Sequence, residues 1–515
     1  MSGPAKRSSQ TPLTQTPLTW MLIGTGFYLF CNLFLPWHTP ILQSGDQVYF
    51  WMDAQRMLHG ERAYVDFFQY TPPGTDLFFL ALFKLFGARI WVLNVAVIIL
   101  GVALSFVCFQ VARQIMESRV VLLCTAMYLV AIFSKPLTAT HHWFSVLFLM
   151  SAVSIILSNQ SSARVAFAGG FLALSFFFTH THGIVALAAI AIWLGWRASA
   201  PPTLTQKTTV KRKVVVQSAI LCLSFLLTVS ALYAHFLATA GLRRVWYQQV
   251  TYVYKYAVQG LAIPNLGMPA PIAWHNWAAI GMPLVVAVLL PVVYVVSLYR
   301  AVHGSLSTDA DRNNALVSLV GLFLFVEVAL SPNWLRIYAV SMPGIIAGVY
   351  LAACLQRGSR QVFALLAVGT ACLSLLLIWS RQHHIYVTTS LPAGSVAISG
   401  DQYEEVYWIA EHTHSGDYFF QAAWPGLYIP LGLRNPLFLD TVGTIDQTRP
   451  DDVAAAIRQL DQKQVRYILF SARLDAPEPP PPGDHLEPLR AYLHSHYDAV
   501  KSFNAGNTIW ARKSF

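Results

Sequence analysis

The sequence predicts a polytopic α-helical membrane protein of about 11 transmembrane helices with a C-terminal α/β domain. Three observations predict it. Only 11% of the 515 residues are charged and 55% are hydrophobic, where a soluble chain carries about 25% charged residues. Apolar runs long enough to cross a bilayer, at roughly 1.5 Å rise per residue, recur along residues 1–380. Beyond about residue 381 they give way to short β-rich stretches and amphipathic helices.

In chain order, the first run is WMLIGTGFYLFCNLFLPW (20–37), after a polar start with Lys6 and Arg7. No small-residue cleavage site follows it, so it reads as a retained helix. Residues 45–87 come next and hold five carboxylates, Asp46, Asp53, Glu61, Asp66 and Asp76. Tyr49, Met52, Met57 and Leu58 fit a short helix lying on the membrane surface, with Gly60 ending it. The run 75–87 is too short to span and reads as an interfacial helix. Ten further spans are expected at 90–112, 119–135, 142–158, 164–179, 183–197, 214–239, 276–299, 315–331, 336–355 and 361–380. The aromatic loop 240–275 reads as interfacial anchoring, or as a lid over a lipid carrier.

In the C-terminal part, a helix is expected around 401–413, then helix and strand within 451–472. Helix, strand and hairpin follow within 485–513, with Ala-Gly-Asn at the turn. The Pro-rich run 476–483 reads as a surface loop. Residues 1–380 thus form the transmembrane module and 381–515 a domain of about 135 residues, enough for its own core.

Lys and Arg in short loops orient the spans. An inside N-terminus puts Arg113, Arg119, Arg164, the Lys207–Lys213 cluster, Arg300, Arg312, Arg357 and Arg360 in the cytoplasm. The loop 38–75 and the C-terminal domain then lie outside. The net charge of +10 follows from such loops, and no basic-aromatic face suited to nucleic acid appears. Six cysteines, all within apolar runs and none in a CxxC pair, support neither a disulfide framework nor a zinc site.

Asp46 precedes the short helix, where backbone N–H groups favour an ionised carboxylate. Such a group accepts a proton from a hydroxyl nucleophile, or merely caps the helix. Asp53, about two turns on, is a second acid of the site or, preferably, a solvated residue, and stands with Tyr70 among the substrate contacts. Arg336 in SPNWLRIY can seat a phosphate, or pair with Glu327. Arg243, Arg244, Lys255, Lys84 and Lys135 are further cationic candidates. His141/His142 and His180/His182 fall at the outer ends of neighbouring hairpins, with His142 a cleft-lining candidate. Without a carboxylate partner they are weak metal ligands, and no metal site is assigned.

Asp46 soon after the first span, the Arg-Met-Leu-x-Gly ending at 56–60, Ala63-Tyr64-x-Asp66, Pro72-Pro73 and Lys84-Leu85-Phe86-Gly87 resemble the C-type glycosyltransferases. The nearest branch is that of protein O-mannosyltransferases and bacterial aminoarabinose transferase. AYLHSHYDAVKSF and NTIWARK near the C-terminus resemble the ending of bacterial members. The resemblance implies a bacterial inner-membrane enzyme. It would move a sugar from a polyprenyl-phosphate donor to an acceptor hydroxyl of a glycan, lipid or protein on the outer face, with inversion and with Asp46 as base. Many members carry Asp-Glu where this chain has Asp46-Gln47. That removes the carboxylate pair on which metal binding there would depend, while a divalent cation remains compatible with the family. A transporter or flippase, or a non-catalytic envelope-binding scaffold, are the alternatives. Transport predicts matched halves and mid-membrane charges, which the sequence lacks.

Overall fold

A computed structural model gives the fold and describes residues 15–36, 38–199, 204–257, 277–303, 308–330, 334–355, 359–443, 448–477, 483–504 and 506–513. Helix α1 (Gln15–Leu33) leads through a two-residue hairpin, β1 (Phe34–Leu35) and β2 (Thr39–Pro40), into α2 (Gln47–Leu58) and α3 (Gly74–Phe86). The bundle continues with α4 (Ile90–Ala112), α5 (Ser118–Met127) with a π-helical turn over Tyr128–Phe133, α6 (His141–Ser158), α7 (Ser162–Phe178), α8 (His180–Ser199) and α9 (Leu204–Ala240). After the short α10 (Leu242–Trp246) come α11 (Trp277–His303), α12 (Asp309–Ala329), α13 (Trp334–Ala339), α14 (Met342–Ala353) and α15 (Ser359–Gln382). Among the described residues each expected span lies largely in helix, although the first ends at Leu33, where Phe34–Leu35 pairs as a strand; the tenth is broken in two at Val340–Ser341, where the Ser341 hydroxyl turns back to donate to the Tyr338 carbonyl. Among the described residues six helices are long and apolar enough to cross a membrane, and three shorter apolar ones accompany them.

Helices α4, α6, α8 and α12 form the packed centre, whereas the apolar window of α15 buries none of its residues against protein. A polytopic fold explains that exposure, since apolar side chains there meet lipid.

Helix α2 departs from the surface-lying expectation. Nine of its twelve residues are buried, because α3 packs on one side and the C-terminal part covers the other. Gly60 ends it with φ +91°, as the sequence suggested. At the start of α3, a Cβ on Gly74 would lie 2.7 Å from the Phe177 carbonyl oxygen, so only glycine lets α3 seat against the end of α7.

The C-terminal part opens with the hairpin β3 (Tyr386–Leu391) and β4 (Gly394–Ser399), followed by α16 (Gly400–His412). Then come β5 (Phe419–Gln421), α17 (Tyr428–Leu431), α18 (Pro450–Gln462), β6 (Tyr467–Ser471), α19 (Ala472–Asp475), α20 (Glu487–His496), β7 (Tyr497–Ser502) and β8 (Asn507–Arg512). The sheet order is β5-β6-β8-β7, with β5 parallel to β6 and the other pairs antiparallel. Gly506 makes the β7–β8 turn at φ +79°. The run 478–482 of the Pro-rich loop lies outside the described residues. One apolar core runs unbroken from the helices into residues 391–433, and the Leu42 amide donates to the Ala397 carbonyl across the junction.

Candidate active site

A pocket of about 260 Å³ opens where α2, the loop after it, the start of α6 and the C-terminal part meet. Asp46, Tyr49, Asp53, Tyr70, His141 and Asp440 line it, with Trp424 at its rim. Three of the sequence candidates, Asp46, Asp53 and Tyr70, are therefore brought together.

Asp46 occupies the N-cap position of α2, yet its side chain makes no capping hydrogen bond. The capping alternative thus fails, and the carboxyl is left for the pocket. Burial pushes its pKa above the ordinary aspartate value. The neighbouring Gln47 is fully buried and structural. Its Oε1 accepts from the Ala139 amide at 2.9 Å and its Nε2 donates to the Ser44 carbonyl at 2.9 Å. The amide therefore ties the first outer loop to the segment leading into α6, a bond a carboxylate could make only in part.

Asp53 is not solvated: it is 2% exposed. The helical register predicted its place two turns from Asp46, but not the cover supplied by the C-terminal part. Its carboxyl lines the same pocket as that of Asp440, and two carboxylates buried together oppose each other's ionisation. Burial and mutual repulsion push Asp53 well up, and burial pushes Asp440 up to about 7. Asp76, also buried, accepts from Gln69 Nε2 and is raised by the same causes. Arg56 is the cation set against this cluster. Its Nη1 lies 3.5 Å from Asp440 Oδ1, its Nε 2.8 Å from Glu61 Oε2, and its Nη2 donates to the Leu437 carbonyl at 2.9 Å. Asp440 had no sequence signal, because its place depends wholly on the C-terminal part folding back onto α2.

His141 closes the pocket wall, its ring edge-on to Phe50 at 5.2 Å between centroids. His142 lies behind it, with ring centroids 3.9 Å apart, and His182 follows at 5.5 Å from His142. His182 Nδ1 meets Ser145 Oγ at 3.2 Å, and its Nε2 lies 3.4 Å from Glu327 Oε2. Glu327 Oε1 in turn accepts from Arg336 Nη2 at 2.8 Å. A buried polar column therefore runs from the pocket to Arg336. His180 stands apart and bonds the Tyr233 hydroxyl at 2.7 Å.

The remaining cationic candidates do not line this pocket. Lys135 and Lys84 are exposed elsewhere, and Arg243 and Arg244 line a separate open cavity with Trp246 and Tyr247. The described part of the 240–275 loop is helical after Gly241, and 258–275 lies outside the described residues. Gln248 and Gln249 from it are buried. They hold the outer loop by bonds to the Gln69 amide, the Tyr64 carbonyl and the Thr71 carbonyl. That anchoring keeps Tyr64 at φ +67°, a backbone rarely taken by a bulky residue.

Among the described residues no three of His, Cys, Asp and Glu are placed to hold a metal ion. The buried Oδ1 atoms of Asp53 and Asp76 lack hydrogen-bond partners, so a cation there would rest on fewer than three such groups.

No protein-family model and no curated protein matches the sequence. Solved structures do match the fold. The oligosaccharyltransferase of Archaeoglobus fulgidus tethered to an acceptor peptide aligns with a TM-score of 0.53 at 11% identity, over 98% of this chain and 74% of that one. The archaeal oligosaccharyltransferase AglB of the same organism, in complex with an inhibitory peptide and a dolichol-phosphate, gives 0.53 at 12% identity, over 98% and 75%. ArnT from Cupriavidus metallidurans bound to undecaprenyl phosphate gives 0.52 at 14% identity, over 98% of both chains. A further structure of the Archaeoglobus protein contains Zn and sulfate and gives 0.51 at 11% identity, over 96% and 73%. The chain therefore shares the fold of these oligosaccharyltransferase and ArnT structures, a polytopic helical membrane protein with a C-terminal α/β part.

Proposed function

We propose that this chain is a multi-pass membrane glycosyltransferase that moves a sugar from a polyprenyl-phosphate donor to an acceptor hydroxyl. The observation that carries the reading is Asp46, an uncapping carboxyl at a helix N-terminus, half-buried in a pocket of a glycosyltransferase fold. Neighbours of that fold hold polyprenyl phosphates in their structures, ArnT with undecaprenyl phosphate and AglB with dolichol-phosphate. In this reading Asp46 removes the acceptor proton as the hydroxyl attacks the anomeric carbon, and the lipid phosphate leaves from the opposite side with inversion. His141 and Arg336 lie on the polar column beside the pocket and would stabilise the departing phosphate. Tyr70 and Asp53 would contact the sugar. His142 supports His141 from behind. Lys135 and Arg243 would meet the donor only outside the pocket.

A divalent cation would find fewer than three protein ligands there among the described residues, Asp53 and Asp76, and the proposed transfer does not depend on one. Topologically, the N-terminus would be cytoplasmic in a bacterial inner membrane. Residues 1–380 would form the transmembrane module, and the domain 381–515 would lie on the outer face, covering the first outer loop. Comparative mass spectrometry of lipid-linked sugars and envelope glycans, in cells with and without the gene, tests the reading. Loss of the gene should cause one polyprenyl-phosphate sugar to accumulate and one glycan modification to vanish. Unchanged profiles of both would sink it.

A further inference from the structure

A second cavity, of about 1050 Å³, lies at the opposite end of the bundle from the carboxylate pocket. Helix α6 fixes the separation, since it begins with His141 at the pocket and ends with Ser158 in this cavity. Arg113 at the end of α4 and Arg164 in the first turn of α7 form its cationic rim. Among the described residues neither guanidinium has a carboxylate partner; Arg164 Nη1 donates only to Ser158 Oγ, at 2.8 Å. Gln114 is engaged elsewhere, donating to the Gln110 and Ser154 carbonyls, while its Oε1 is buried beside the cavity without a partner. Glu117 adjoins this end, but Arg113, Arg119 and Arg164 outnumber it.

The other wall is apolar. Phe167 and Phe171 of α7 line it, and the same two rings line a neighbouring groove of about 570 Å³ between α7 and α9. That groove continues along Gly170, Leu174 and Thr228 toward the middle of the bundle. Phe167 is 67% exposed on this lipid-facing surface. A cationic, hydroxyl-bearing cup joined to a hydrocarbon-lined groove matches a ligand with a phosphate head and an apolar chain.

We propose that this cavity binds an anionic lipid at the end of the bundle remote from the carboxylate pocket, its phosphate on Arg113 and Arg164 and its chain in the α7–α9 groove. The site does not rest on glycosyl transfer. Two sources share the chemistry, a membrane phospholipid and a polyprenyl phosphate.

Native mass spectrometry of the full-length protein tests it, with phosphatidylglycerol, undecaprenyl phosphate and phosphatidylcholine titrated separately. In the Arg113→Gln/Arg164→Gln variant one anionic lipid should bind roughly tenfold or more weakly, the loss of two charge-assisted contacts. For undecaprenyl phosphate the loss should be of one bound molecule, leaving any held in the carboxylate pocket. The lipid so affected names the source. The Arg113→Lys/Arg164→Lys variant should keep the preference for anionic lipid, and thermal unfolding of both variants should match wild type, since both side chains are exposed. Unchanged binding of both anionic lipids in the Gln variant overturns the proposal. So does wild-type affinity for phosphatidylcholine equal to that for the anionic lipids.

Discussion

At the residue scale, Asp46 combines a helix N-terminus that favours its ionised form with burial that opposes it, and burial is the larger effect. A base with a raised pKa is idle while protonated, so transfer should fall as pH drops through a value above the ordinary aspartate range of about 3.9. A pH–rate profile in membranes should show that acid limb, and Asp46→Glu should shift it rather than remove it. Asp440 carries the opposite kind of consequence. Its pKa is raised to about 7 in the fold from 3.8, so its protonated form stabilises the fold below about pH 4 and that stabilisation is lost as pH rises through about 7. Thermal unfolding of Asp440→Asn should therefore depend less on pH between about 4 and 8 than wild type. An identical pH dependence would show that the ionisation of Asp440 does not matter to folding. Asp46 was legible in the sequence through its loop and its family resemblance. The burial of Asp53 was not, because helical register fixes a direction around α2 but says nothing of what covers it.

At the element scale, the clamp on α2 decides the site. The loop 434–441 lies across it, fixed by Arg56 to the Leu437 carbonyl, by the Phe68 amide to the Phe438 carbonyl, and by Asn435 Nδ2 to Met52 Sδ at 3.5 Å. Removing the buried Arg56 charge leaves the carboxyl cluster without its cation. Arg56→Met should destabilise the fold by about 3–5 kcal/mol, the cost of breaking a buried pair. Denaturation in detergent checks it, and a loss below about 1 kcal/mol would place the clamp elsewhere. Hydropathy located the apolar helices, six of them long and apolar enough to cross a membrane among the described residues, because lipid exposure demands long apolar runs, and turn chemistry located Gly60 and the β7–β8 hairpin. It could not show that α2 is sandwiched, since the same amphipathic pattern suits a lipid surface or a protein cover. The break between α13 and α14 did carry a signal: Pro343 lies in the first turn of α14, where its missing amide and fixed φ start a helix but cannot continue one.

At the scale of the whole molecule, one continuous core joins helices to the C-terminal part, so the pocket exists only when both have folded together. Cysteine labelling checks the proposed topology, because the native cysteines all lie within the predicted spans. Glu404→Cys should react with an impermeant reagent in intact spheroplasts and Arg119→Cys only after permeabilisation; the reverse pattern would invert the molecule. The fold class was legible because composition alone excludes a soluble chain, whereas the pocket required pairing residues 46–71 with residues 424–440, which no local pattern encodes. The most direct measurement is single-turnover transfer by purified Asp46→Asn protein with its polyprenyl-phosphate sugar bound, donor occupancy being read in parallel. The account predicts donor affinity within about twofold of wild type and transfer reduced by roughly 10²–10⁴, while transfer at the wild-type rate would contradict it.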